Sequence, residues 1–148
     1  MKRLREKQKK AIDFISLKLL KRGFAVFTNP QDDRYHILCT NIANGKKVKI
    51  RVTTSKRSMK KWTLNEADDY HSDNLFYVFV GDKSLGNQEF FVIPSKIVSD
   101  KIIKNADLWI GSKRKDGEPH RDKHMREFKM DDSEIKKYLN RWDFLGLD

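Results

Sequence analysis

Six consecutive apolar residues, Leu75-Phe76-Tyr77-Val78-Phe79-Val80, constrain the fold of this chain more than any other stretch. "NLFYVFVGD" (74–82) has no apolar–polar alternation, so a strand here has no face to give to water. It has to lie inside a sheet that is covered on both sides. "EFFVIPS" (89–95) follows across a short turn containing Gly86-Asn87 and reads as its neighbour. The run is far shorter than the ~20 residues that span a bilayer, and no membrane partner is expected.

The flanking sequence supplies the rest of such a sheet. A helix is predicted from about Lys2 to Arg22, with Leu4, Ala11, Ile12, Ile15 and Leu19 on one face and Lys/Arg over most of the remainder. Gly23 stops it. Asp13 and Lys18 interrupt its apolar part, so it reads as a surface helix and not as a signal peptide. "FAVFT" (24–28) reads as a strand ended by Asn29-Pro30, and "YHILCTN" (35–41) as a second. "IANGK" joins the latter to residues 47–53, with Asn44-Gly45 as the hairpin signal. In "VKIRVTTSK" (48–56), Val48, Ile50 and Val52 point one way, and Lys47, Lys49, Arg51 and Thr53 the other. A helix is predicted at about Lys96 to Ile103 on Ile97, Val98 and Ile102, and residues 104–130 read as irregular. A last helix, capped by Asp131 or Asp132, presents Ile135, Tyr138, Leu139 and Trp142. The order α-β-β-β-β-β-α-loop-α gives an α/β (α+β) domain with a mixed central sheet flanked by helices. At 148 residues the chain reads as one domain, burying roughly 68–70% of its unfolded surface.

Charge sets the expected partner. The net charge of +11 is uneven. Residues 1–22 carry nine Lys/Arg against Glu6 and Asp13, and residues 44–61 carry eight with no acid. Residues 113–126 carry six against three acids, whereas residues 62–112 carry four against eight. One basic side and one near-neutral or acidic side is the footprint of a nucleic-acid binder. Lys47, Lys49, Arg51, Lys56, Arg57, Lys60 and Lys61 are the candidate phosphate contacts, with DNA as the leading partner.

Few other residues offer chemistry. Cys39 is the lone cysteine, which excludes an intrachain disulfide and a thiolate cluster and makes the cytoplasm the expected compartment. In an apolar strand it reads as a small buried hydrophobe. His120 and His124 have the spacing of a helical zinc pair, but without the accompanying Glu or a third ligand nearby they read as solvated or phosphate-facing. Trp62, beside Lys60 and Lys61, could stack on a base; core packing is the commoner use of such an aromatic. No Ser-His-Asp set, glycine-rich phosphate loop or nucleotide motif is present.

The order of elements, with Tyr35-His36-Ile37-Leu38, Ile50-Arg51-Val52-Thr53-Thr54, "FYVFV…EFFVIPSKIV" and the closing "YLNRWDFLGL", resembles the small PD-(D/E)XK nuclease-like proteins of the restriction-endonuclease fold, over roughly residues 10–145. In that family an Asp on the first hairpin strand and a Glu or Gln on the second help place Mg²⁺, and a Lys two residues on helps activate water. The matching positions here are His36, Arg51 and Thr53. A guanidinium repels Mg²⁺, and imidazole is a poor ligand for an oxygen-seeking ion. The resemblance therefore implies a nuclease-like fold with a degenerate site, a cationic strand face suited to phosphate, and no cofactor. Two other readings stay open. One is a Mg²⁺-dependent endonuclease whose site has migrated, using Asp32, Asp33 and Lys49 (or Lys56), with Glu6 and Asp13 as further acids. The other is a regulatory subunit that docks a protein on the acidic stretch 62–82.

Overall fold

The computed structural model of the chain describes residues 6–29, 34–55, 61–84, 87–111 and 125–148. Helix α1 (Glu6–Lys21) buries Ala11, Ile12, Ile15, Ser16 and Leu19 along one stripe, as the 3.6-residue spacing requires. Strands β1 (Ala25–Thr28), β2 (Ile37–Thr40) and β3 (Lys47–Thr54) form an antiparallel meander. After β4 (Lys61–Asn65) and a 3₁₀ turn at Glu66–Asp69 come β5 (Leu75–Ser84), β6 (Asn87–Pro94) and helix α2 (Ser95–Gly111). Strand β7 (Met125–Lys129), a single helical turn α3 (Asp132–Ile135) and 3₁₀ turns at Lys136–Tyr138 and Trp142–Leu145 close the chain.

The main sheet has the order β1-β2-β3-β5-β6, and β4 and β7 pair as a separate two-stranded ribbon. Among the described strands only β3 and β5 run parallel, so β4 and the 3₁₀ turn travel in the crossover between them. The sheet is mixed and flanked by helices, as its apolar run demands. On one side Phe76, Val78 and Val80 of β5 join Val48, Ile50 and Val52 beneath α1, with Trp142 and Leu145. On the other, Leu75, Tyr77 and Phe79 meet Trp62, Phe128, Val98 and Ile102. Each such side chain contributes about 1.5–3 kcal/mol by leaving water, which is why both layers are required.

Several expectations need correction. Helix α2 extends to Gly111, because nothing between Lys104 and Asp107 breaks it. The segment read as irregular holds the end of this helix and β7. Strand β4 had no assignment; it forms because β7 pairs with it, Trp62 opposite Phe128. The last helix is not continuous: Leu139 is extended and bridges Phe91, and Asn140 has φ 54°, which ends helical geometry. The hairpin of β2 and β3 is longer than a two-residue turn. Gly45 alone of the Asn44-Gly45 pair has positive φ (75°), and its N–H closes on the Asn41 carbonyl at 2.8 Å.

Candidate nucleic-acid interface

Alternation turns Lys49 and Arg51 away from α1, toward the side of the sheet that carries β4 and α2. There they meet the turn that the crossover delivers. The result is a cleft of about 390 Å³ lined by Arg34, Tyr35, Lys49, Arg51, Ala67, Asp68, Tyr70, Ser72, Asn74, Leu75 and Tyr77.

The 66–74 wall of the cleft is tied down at several points. Arg51 Nε lies 3.2 Å from Asp68 Oδ1, with the Asp68 side chain only 4% exposed. The Tyr77 hydroxyl also donates to Asp68 Oδ1. Burial, and then the Asp68 charge, push the Tyr77 phenol well above its ordinary range. Arg126 of β7 grips Asp69 with two bonds of 3.2 Å. Helix α2 holds the wall from behind. Ser99 Oγ donates to the Asp69 carbonyl at 2.7 Å, and the fully buried Ser95 contacts both the N–H and the carbonyl of Ser72. Ser95 belongs to the Ile-Pro-Ser phrase, which thereby has a physical role.

The three positions expected to share one pocket do not. Arg51 lines the cleft; His36 and Thr53 do not. His36 is buried, and its Nδ1 accepts the Val52 N–H at 2.8 Å. The imidazole thus serves as one further rung of the ladder beyond the start of β2, which spares β3 an unpaired buried donor. Arg51 is likewise not a simple phosphate donor, being ion-paired to Asp68. Lys49 is half-buried, with Nζ 5.2 Å from the centre of the Tyr35 ring, a cation–π distance. Lys47 is exposed at the start of β3. Asp32, Asp33, Lys56, Arg57, Lys60, His120 and His124 lie outside the described residues, as does the side chain of Lys61.

Among the described residues the acids do not gather into a metal site. Glu6 sits on the surface beside Lys10 at 3.5 Å, and Asp13 is exposed on the same helix. Within the stretch 62–82, Asp68 and Asp69 pair with Arg51 and Arg126, and Asp73 is exposed. Among the described residues no three His, Cys, Asp or Glu side chains could hold one metal ion. The Mg²⁺ site that the resemblance implies is therefore not matched by the donors described: the cleft's Asp68 is already engaged by a guanidinium and a phenol. Cys39 is buried, and burial pushes its thiol up to about 11. Trp62 is core, its Nε1 donating to the Val80 carbonyl at 3.1 Å.

Asp68 is the residue that sequence reasoning missed. From sequence it belongs to the acidic stretch 62–82, which reads as a docking face for a protein partner. The available signal was Tyr77, in a strand buried on both faces, whose hydroxyl needs a partner.

No family model matches the chain, and no curated protein matches it by sequence. Solved structures do. A bacterial homing endonuclease, I-Ssp6803I, superposes with a TM-score of 0.53 at 16% identity, over 99% of this chain and 93% of its own. Hjc, a Holliday junction resolvase from the archaeal hyperthermophile Archaeoglobus fulgidus, gives a TM-score of 0.56 at 12% identity, over 95% of this chain and 97% of its own.

Proposed function

We propose that this chain, a protein of the restriction-endonuclease-like PD-(D/E)XK fold, binds nucleic acid on the cleft side of β3 and does not cleave it with a metal ion. One observation carries the reading. Where the resemblance calls for a metal-binding carboxylate the chain has Arg51, and that guanidinium engages Asp68, the one acid among the described residues that line the cleft. With Asp68 neutralised by Arg51, the cations Arg34 and Lys49 are in excess among the lining residues, a balance that favours phosphate over Mg²⁺. The similarity to an endonuclease and a junction resolvase supports a nucleic-acid partner, with DNA first. Lys47 extends the basic surface along the strand, and Lys56, Arg57, Lys60 and Lys61 continue it in sequence.

The test has two arms. Affinity for DNA should fall steeply with salt, because each neutralised phosphate releases counterions with a log–log slope of about −0.9. Replacing Lys47 and Lys49 with Ser should flatten the slope by about 2 units if both meet phosphate. An unchanged slope would place the contact on another surface. In the second arm, wild-type protein with Mg²⁺ or Mn²⁺ should leave DNA and RNA intact. Metal-dependent cleavage that vanishes in Asp33→Asn would replace this reading with the migrated-site enzyme built on Asp32, Asp33 and Lys49.

A further inference from the structure

We infer that the cleft receives one unpaired nucleotide of a nucleic-acid strand, with its base against Tyr70 and its phosphate against Lys49 and Arg34. The inference rests on the nucleic-acid reading above and names the form of the ligand.

Size comes first. A concave space of about 390 Å³ is at the small-ligand end of binding pockets, and a duplex cannot enter it. A duplex keeps its phosphates outside and its bases stacked inside. An aromatic side chain in a cleft therefore reaches a base π-face only after the nucleotide has left the stack.

The lining fits both halves of such a nucleotide. Tyr70 is 67% exposed at the cleft, just after the 3₁₀ turn, and its ring offers a sequence-tolerant stacking surface. The turn beneath it is fixed by Ser99 and Arg126 through Asp69, so the platform is held in place before any ligand arrives. Lys49 lines the cleft with Nζ 5.2 Å from the centre of the Tyr35 ring, and the cationic Arg34 lines it too. Asp68 does not oppose the phosphate, because Arg51 and Tyr77 take up its charge. Asn74 supplies a base-reading group. The Ser72 hydroxyl donates to Asn74 Oδ1 at 2.7 Å, which orients the amide with its NH₂ away from Ser72, as a donor for an acceptor on a base edge.

The experiment compares three fluorescent DNA ligands of equal length: a perfect duplex, the same duplex with a one-nucleotide bulge, and a single strand. The bulged duplex and the single strand should bind more tightly than the perfect duplex. Tyr70→Ala should weaken the first two by about 5- to 150-fold, the loss of one base stack, and change the perfect duplex by less than twofold. Tyr70→Phe should restore wild-type behaviour. Equal losses on all three ligands, or no preference for unpaired nucleotides, would overturn the inference and leave the binding reading standing. Failure to bind any of the three at low salt would remove both. Free nucleoside monophosphates that compete as well as the strand, nucleotide for nucleotide, would also overturn it, since the ligand would then be a free nucleotide.

Discussion

Ser95 Oγ accepts the Ser72 N–H at 3.0 Å and lies 2.9 Å from the Ser72 carbonyl, to which it donates. One hydroxyl at the start of α2 thus satisfies both backbone groups of a residue in the cleft wall. Ser95→Ala should cost about 1–3 kcal/mol, the range for buried groups left without partners. It should also loosen the 66–74 wall, read as faster amide exchange at Ser72 than in wild type. Ser95→Thr, which keeps the hydroxyl, should retain most of the protection.

The Arg51–Asp68 pair makes a second expectation. Arg51→Met leaves Asp68 buried with Tyr77 as its remaining donor among these two partners. The loss should be about 2–4 kcal/mol, somewhat below the ~3–5 kcal/mol of a fully buried pair broken on one side, because Arg51 keeps some contact with solvent. The double variant Arg51→Met with Asp68→Leu should be more stable than the sum of the single losses predicts. Urea midpoints of the four proteins form the required cycle. Strict additivity would show that the two groups do not interact.

Tyr77 should make stability fall in alkali. Its folded pKa is raised above the ordinary value near 10, so the folded state holds the proton after the unfolded state has released it. The stabilisation is therefore complete below pH ~10 and is lost as pH rises above it, at about 1.4 kcal/mol per pH unit for one proton. Urea unfolding from pH 9 to 11.5 should show a steeper decline in wild type than in Tyr77→Phe, by that one proton. Parallel slopes would mean that the phenol ionises equally in both states.

Trp62 should matter to stability and not to binding. It packs against Phe79 and Phe128, whose rings stack 4.4 Å apart, and against Phe91. Trp62→Ala should cost about 3–5 kcal/mol. Trp62→Phe keeps most of the volume but removes the Nε1–H bond to the Val80 carbonyl, which still accepts the Ser55 N–H at 3.2 Å, so about 0.5–1.5 kcal/mol should be lost. Its DNA affinity should stay within twofold of wild type. A tenfold loss of affinity in a folded Trp62→Phe variant would instead favour base stacking.

Legibility from sequence followed the range of the interactions. The stripe of α1, the alternation of β3 and the two-sided burial of β5 are local patterns, and the residues named for them are the ones buried, apart from Leu4, which lies outside the described residues. Strand β4 was invisible because its five residues are strand-like only through partners in β7, some sixty positions away. The i, i+3, i+4, i+7 spacing of Ile135 to Trp142 mimicked a helix, although Leu139 and Asn140 follow β6 through the Asn140 N–H to the Phe90 carbonyl. At the site, family spacing pointed to Arg51, which lines the cleft, and to His36, which instead accepts one backbone N–H of the neighbouring strand. Asp68 carries no motif; its position depends on a crossover that no local pattern encodes.

The β4–β7 ribbon also sets a schedule for the chain. A ribosome delivers Trp62 long before Phe128, the residue that stacks on Phe79 and seals that layer. The meander β1-β2-β3 can close early from near neighbours, whereas Asp69 gains its Arg126 clasp only after about six-sevenths of the sequence has emerged. Long-range closures of this kind slow folding and prolong the exposure of unsealed aromatics. The finished cleft wall is thus among the last surfaces to form, and a nascent chain carries its basic strand β3 into the cell before the acid that will hold Arg51 has been locked in place.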